Sequence, residues 1–466
     1  MILKKQTVIF LAGLFSLMTL VFPADVTARA SDGDSGWKAG IARARITPKE
    51  PVWMGGYAFR DHPAERKQTD LWTKVLAIED QSGKRAVLIT LDLAGLPKPF
   101  SDRIRDSLQR KYSLTRDQVL LNVSHTHSGP VLKGNLPDIY PMDSAQWDDV
   151  ARYTRCLENR IVKLVGKALQ SMKPAWLYSG SGVSRFQVNR RNNHEKTLTA
   201  QTELKGPNDY AVPVLKVADR RGKLKAVAFG YACHGTVLNG YEWSADYMGY
   251  AQTELEKLHR RVTALFFQGA GGDQNPLPRR SVPLARQYGS ELACVVERVL
   301  SEEMKLLDPV LTTTYSEIEL TLEDPPSPEK LAVTARDSTG YIQRWGRRLL
   351  SRIENGERLE STYPYPLEVW KLGSQLIFAL GGEPTIEYAI RIKRLFGQDS
   401  FVMGYSNDVM AYIPSVSILK EGGYEGHTSQ MAFGLPARWK VTIEEQILQE
   451  LVKMVQPAEQ DTKQHP

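Results

Sequence analysis

Cysteine is scarce in this chain: Cys156, Cys233 and Cys294 are the three among 466 residues. Three thiols form at most one internal disulfide, which excludes a disulfide-stapled scaffold, and the lack of any Cys-x-x-Cys pair argues against a thiolate metal site. Cys156 and Cys294 fall in helical, mostly apolar stretches and read as buried free thiols. Long hydrophobic runs are as rare. The one that stands out, residues 8–22, follows Lys4 and Lys5, is ended by Pro23 and leads to Ala28-Arg29-Ala30, the small-residue spacing of a signal-peptidase site. Residues 1–30 therefore read as a cleaved secretory signal; an uncleaved anchor is the alternative, and the run is short for a bilayer span. No later segment is apolar enough to cross a membrane, so the expectation is a periplasmic or secreted protein with no stable membrane span after signal cleavage.

A strong charge of one sign is missing too. Of the formal +7, residues 1–30 carry +2, which leaves +5 scattered over the rest. That is too little for a nucleic-acid partner and leans only slightly towards anionic substrates. There is no internal repeat, and the polar tail 456–466 reads as disordered.

What is present is a recurring strand, turn and helix. Runs at 86–91, 119–123, 226–229, 262–267 and 376–380 are short and nearly continuous in apolar residues, the pattern of strands buried on both faces. Helical spacing covers Ser144 to about Met172, then 246–260, 284–304 and 385–396, the last stopped by Gly397. One long helix is predicted from Ser327 to about Gly356. The alternation predicts an α/β fold with a mixed, largely parallel β-sheet flanked by helices, and the regularly alternating stretch 312–323 supplies the mixed part.

Chemically capable residues gather just past those strands. His125-Thr-His127 follows the first of four, Cys233-His234-Gly-Thr236 the second, Gly272-Asp273-Gln-Asn275-Pro276 the third and Gly381-Gly-Glu383-Pro384 the fourth. Ligands of open α/β sheets bind at that rim, so four segments are placed to converge on one crevice. If His125 and His127 stay extended, their spacing aims both imidazoles at one centre. With His234 and Glu383 added, the set suits zinc with one position left for water. A lone histidine after a strand is more often a packing residue, but four segments with the same placement weaken that bland reading. His62 and His427 read as solvated or packing, and the aromatics of 363–366 and Trp370 as core. Arg279-Arg280, beside the 272–276 loop, are candidate readers of an anionic group.

The residues also resemble a known family. His125-Thr-His127-Ser-Gly-Pro130 is similar to the signature of the neutral, non-lysosomal ceramidases. Asn189-Arg190, His234-Gly-Thr236, Ala245-Asp246-Tyr-Met-Gly249-Tyr250, Gly272-Asp273-Gln-Asn275-Pro276, Gly382-Glu383, Ser406-Asn407, Tyr412 and Tyr424-Glu-Gly426 follow in the family's order. The resemblance implies that residues 31–455 form a single ceramidase-like catalytic domain holding one Zn2+ on His125, His234, Glu383 and Tyr412. It also implies that His127, Arg190 and Tyr424 surround the scissile amide, which moves His127 from candidate ligand to proton carrier, with Asp246 and Asp273 supporting the site.

Two departures bear on the substrate. Asn275 stands where the family has a serine; it can hold hydrogen bonds there and cannot act as a nucleophile. The family also carries a β-sandwich domain after the catalytic one, and this sequence ends about forty residues beyond Tyr424. The implied activity is exported, zinc-dependent hydrolysis of a small-molecule or lipid amide by zinc-bound water, with a substrate that need not be ceramide. Within that class the alternatives are a carbohydrate derivative, an ester or a lactone. Outside it stands a metal-dependent binding protein without turnover, motivated by Asn275.

Overall fold

The expected apolar runs are strands in the computed structural model, which describes residues 36–462: Arg85–Leu91, Val119–Val123, Leu224–Tyr231, Thr263–Gln268 and Gln375–Leu380. The segment read as a signal lies outside the described residues. The first four strands belong to a nine-stranded sheet. From one edge it runs Thr263–Gln268, Leu224–Tyr231, Ala211–Asp219, Lys173–Val183, Trp37–Arg45, Trp72–Glu79, Arg85–Leu91 and Val119–Val123, with Lys305–Leu306 added to Lys173–Val183. A second sheet takes Leu311–Thr321, Thr362–Leu372, Gln375–Leu380 and Phe401–Met403 in that order.

The mixed α/β architecture flanked by helices is as expected, but the balance within the sheets is not largely parallel. Within these two sheets, parallel pairing is confined to the two edge pairs of the large sheet and to Gln375–Leu380 with Phe401–Met403. The other pairs in the two sheets are antiparallel. The physical reason is the way the second face is covered. Successive side chains alternate across a strand, so Val87, Ile89, Val119 and Leu121 pack with Phe100, Ile104, Val150 and Leu157 of the helices Lys98–Tyr112 and Ser144–Gln170. Their neighbours Leu88 and Leu120 instead join Trp370, Ile377 and Phe401 of the second sheet. Helices Ile386–Phe396 and Ile443–Thr462 cover the far side of that sheet through Ile392, Ile447 and Leu451. The order helix, sheet, sheet, helix therefore buries both faces of a strand without a βαβ crossover on each side.

The helix expected from Ser144 is Ser144–Gln170, opened by a reciprocal cap in which the Asp143 side chain accepts from Gln146 N–H and the Gln146 side chain from Asp143 N–H. The single long helix expected from Ser327 is two, Pro328–Asp337 and Gly340–Glu354. Ser338 and Thr339 are extended and Gly340 takes a φ of +63°, folding the pair into a hairpin. The last helix, Ile443–Thr462, takes in most of the tail read as disordered. Cys156 and Cys294 are exposed on the solvent sides of their amphipathic helices, not buried as expected; Cys233 is buried, and all three are free. Tyr365 and Trp370 are core. Among the described residues no helix is long and apolar enough to cross a membrane.

Candidate metal centre

The strand Val119–Val123 stops short of the histidines. His125 takes a left-handed φ of +56°, so the extended geometry expected for His125 to His127 is absent and does not align the two rings. Tertiary pairing does: Thr126 bridges Gly235 in parallel, and His127 N–H donates to the Gly235 carbonyl at 3.0 Å. A Cβ on Gly235 would stand 2.8 Å from the His125 carbonyl oxygen, so only glycine lets the two loops touch. Gly382 works likewise beside Glu383. Its φ is +64°, a Cβ there would meet the Ala411 carbonyl at 2.7 Å, and the turn sets Glu383 in parallel register with Tyr412.

These loops bring together His125, His127, His234, Glu383 and Tyr412, all nearly or wholly buried. His125 Nδ1 faces the Ala94 carbonyl, and His234 Nδ1 faces the carbonyls of Gly271 and Gln274 at 2.8 and 3.1 Å. Those carbonyls place the proton on Nδ1 and leave a lone pair on each Nε2. Both Nε2 atoms lie 3.3 Å from the same Glu383 Oε2, and Tyr412 OH lies 3.2 Å from His234 Nε2. Lone pairs and a carboxylate at such separations repel unless a cation sits among them. Ligand atoms about 2.0–2.1 Å from a tetrahedral zinc stand about 3.3 Å apart, so both the spacing and the nitrogen and oxygen chemistry fit that ion. His127 belongs to the same histidine cluster, with Nε2 3.0 Å from His125 Nε2 and a buried Nδ1 that has no hydrogen-bond partner.

The remaining expected residues stand around this centre. Arg190 Nη2 donates to Tyr412 OH at 3.0 Å and Nε to Glu425 at 2.8 Å, while Nη1 lies 3.4 Å from both His234 Nε2 and Asn275 Oδ1. Tyr424 stacks edge-on against Tyr412 and is half-exposed. Asp273 accepts from Ile386 N–H and the Asn189 amide, bracing the turn after Glu383 and the strand before Arg190. Asp246 accepts from Leu238 and Tyr247 N–H and fixes the loop after Thr236. Burial pushes the His127 imidazole well below its ordinary range, with His125 and His234 adding to the effect, and takes His234 to about 4, with Arg190 second. Both are neutral and able to accept.

Residues without a sequence signal complete the site. Tyr405 OH donates to Glu383 at 3.2 Å, and Tyr57 sets its ring edge-on to His127 at 4.8 Å. Glu425, inside the Tyr424-Glu-Gly426 motif, pairs with Arg190 and Arg191. Two cavities share the edge made by Gly56, His127, Tyr412 and Tyr424: an open bowl of about 730 Å3 that takes in Arg279 and Arg280, and a smaller chamber of about 160 Å3 where His125 and Glu383 meet Leu136, Ile139 and Phe433. His62 is exposed between Asp61 and Glu65, and His427 lines a separate groove by the 328–354 hairpin.

A family described as neutral/alkaline non-lysosomal ceramidase, N-terminal, matches residues 37–277, more than half of the chain. The chain belongs to the neutral/alkaline ceramidase family. Among curated ceramidases, neutral ceramidase B of Dictyostelium discoideum is 26% identical over 241 residues, 49% of this chain and 32% of that protein. Neutral ceramidase A of the same organism is 25% identical over 304 residues, 59% of this chain and 42% of that one. The matched stretch thus spans less than half the length of these relatives. In fold, the chain is similar to a ceramidase solved in complex with C2, with a TM-score of 0.70 at 17% identity over 90% of this chain and 75% of that one. It is also similar to the neutral ceramidase of Pseudomonas aeruginosa, with a TM-score of 0.67 at 19% identity over 89% and 75%.

Proposed function

We propose that this ceramidase-family chain is an exported, zinc-dependent hydrolase that cleaves an amide bond, with residues 1–30 as export signal and 31–455 as its single catalytic domain. The observation that carries the reading is the 3.3 Å spacing of His125 Nε2 and His234 Nε2 from one Glu383 oxygen, with no proton left to separate them. His125, His234, Glu383 and Tyr412 hold the ion. Zinc, when bound, brings the pKa of a coordinated water towards ~7 and polarises a carbonyl oxygen.

The chain's own groups do the rest. His127, neutral and beside the ligands, takes the proton of the attacking water and returns it to the departing nitrogen. Arg190 and Tyr424, on the bowl side, donate to the oxygen on which charge develops, and donors of this kind are each worth about 3 kcal/mol. Glu425 and Tyr412 keep Arg190 charged against the cost of burial. Asn275 holds Arg190 in place and takes no covalent part.

Metal analysis tests this first, because purified protein that takes up no stoichiometric zinc would sink the reading. In the Glu383→Gln variant one anionic ligand becomes neutral, so both zinc content and amide turnover fall, each by about tenfold or more. Retained turnover would mean that the ligand set is wrong.

A further inference from the structure

The two cavities at the centre differ in charge and in size, and the difference bears on the substrate. Five cationic side chains line the bowl, Arg190, Arg191, Lys196, Arg279 and Arg280, against two carboxylates, Glu195 and Glu425. Glu425 is engaged by Arg190 and Arg191, and Glu195 by Arg279 at 2.8 Å. Arg280 has no carboxylate partner among the described residues: its Nη1 donates to Tyr57 OH at 2.9 Å and to the Thr236 carbonyl at 3.3 Å. The buried Asp246 acts on Arg280 from behind the wall, where it is held by backbone N–H groups. Arg280 also sits at a φ of +88°, a backbone state that L-residues seldom adopt and that clusters at binding sites.

A run of contacts leads from the centre to these cations. His234 Nε2 lies 3.4 Å from Arg190 Nη1, which lies 3.4 Å from Asn275 Oδ1; Thr236 Oγ1 is 3.5 Å from that oxygen and 3.5 Å from Arg279 Nη1. Arg279 and Arg280 therefore stand along the bowl, away from the reacting carbonyl. The second cavity, about 160 Å3, opens beside His125, His127 and Glu383, and Leu136, Ile139, Val409 and Phe433 supply its apolar wall. At roughly 30 Å3 per water-sized group, it takes about five heavy atoms.

We propose that the substrates are N-acyl compounds with a short acyl chain seated in the chamber and, on the amine side, an anionic group, carboxylate or phosphate, seated against Arg279 and Arg280. The inference rests on the amide-hydrolase reading above. Water adds to the carbonyl carbon, the carbon–nitrogen bond breaks and the nitrogen takes the proton, so the products are a short carboxylic acid and an anionic amine.

The test uses the zinc-loaded full chain with N-butanoyl derivatives of glycine, β-alanine and 4-aminobutyrate, each beside its neutral carboxamide, and with N-butanoyl ethanolamine phosphate. Hexadecanoyl versions report on chain length, and the phosphate arm separates the two anions. At low salt, where such contacts are least screened, kcat/KM for the better anion exceeds that of its neutral counterpart by about tenfold, and butanoyl exceeds hexadecanoyl. Arg280→Gln moves the ratio of anionic to neutral substrate towards one, and Glu195→Gln, which frees Arg279, raises it. Equal rates on charged and neutral substrates, or a hexadecanoyl preference, overturn the proposal. If the loaded chain cleaves no amide, the hydrolase reading fails by itself, and calorimetry on the same compounds still decides this one. Tighter binding of the butanoyl anion, weakened in Arg280→Gln, supports it, and equal binding of anion and carboxamide overturns it.

Discussion

His125 and His127 are two residues apart and reach the same spot for different reasons. His125 is fixed by the Ala94 carbonyl on its outer nitrogen, whereas the outer nitrogen of His127 has no partner and its ring leans on Tyr57. A ligand has its far nitrogen held by a hydrogen bond, and His127 lacks that support. Replacing His127 by glutamine is therefore expected to leave zinc content near stoichiometric and to lower kcat by about 10²- to 10⁴-fold. Mass-spectrometric metal analysis beside steady-state kinetics checks this, and a variant that loses its zinc would make His127 a ligand. At this scale the His-Thr-His spacing was legible in the sequence and its geometry was not, because the left-handed turn at His125 depends on a neighbouring loop. Tyr57 and Tyr405 carried no signal, since an isolated tyrosine looks alike in a core and beside a carboxylate.

Strands were the most legible elements, and the reason they are buried twice was the least. Val119–Val123 was read to the residue, yet an apolar run does not say whether a helix or another sheet covers its far face. The answer here is the second sheet, as at Phe401, whose ring stacks on Phe267 across the layer with centroids 6.1 Å apart. Phe401 is 2% exposed, so Phe401→Ala is expected to cost about 3–5 kcal/mol in chemical denaturation. Leu258→Ala, at a residue 60% exposed, stays within about 0.5 kcal/mol. Equal losses in the two variants would mean that the sheet interface does not carry the packing assigned to it. The break at Ser338 and Thr339 was missed because both residues fit a helical pattern, and the hairpin forms by packing one half on the other.

Over the whole molecule, burying so many strand ends also buries acids. Asp408 is 1% exposed, with Oδ2 accepting from Tyr363 OH at 2.7 Å and Oδ1 unpartnered. Burial raises its carboxyl from 3.8 to about 7, against smaller opposing effects of Tyr363 and Lys98, while Asp102 adds to the rise. A folded-state pKa above the unfolded one means that its contribution to stability is full below about 3.8 and is lost as pH rises through about 7. The thermal midpoint of Asp408→Asn should therefore fall less between pH 5 and pH 8 than that of the unsubstituted protein, and parallel profiles would refute the assignment. The sequence by itself determined which segments are strands, which residue types stand at their ends and the order of the family motifs, because periodicity and local chemistry are properties of neighbouring residues. Only the tertiary structure decided the antiparallel balance, the double-sheet core, the convergence of His125, His234, Glu383 and Tyr412, and the cationic bowl beside a smaller chamber. Those features depend on which distant loops touch, and glycines such as Gly235 and Gly382 permit that contact without announcing it.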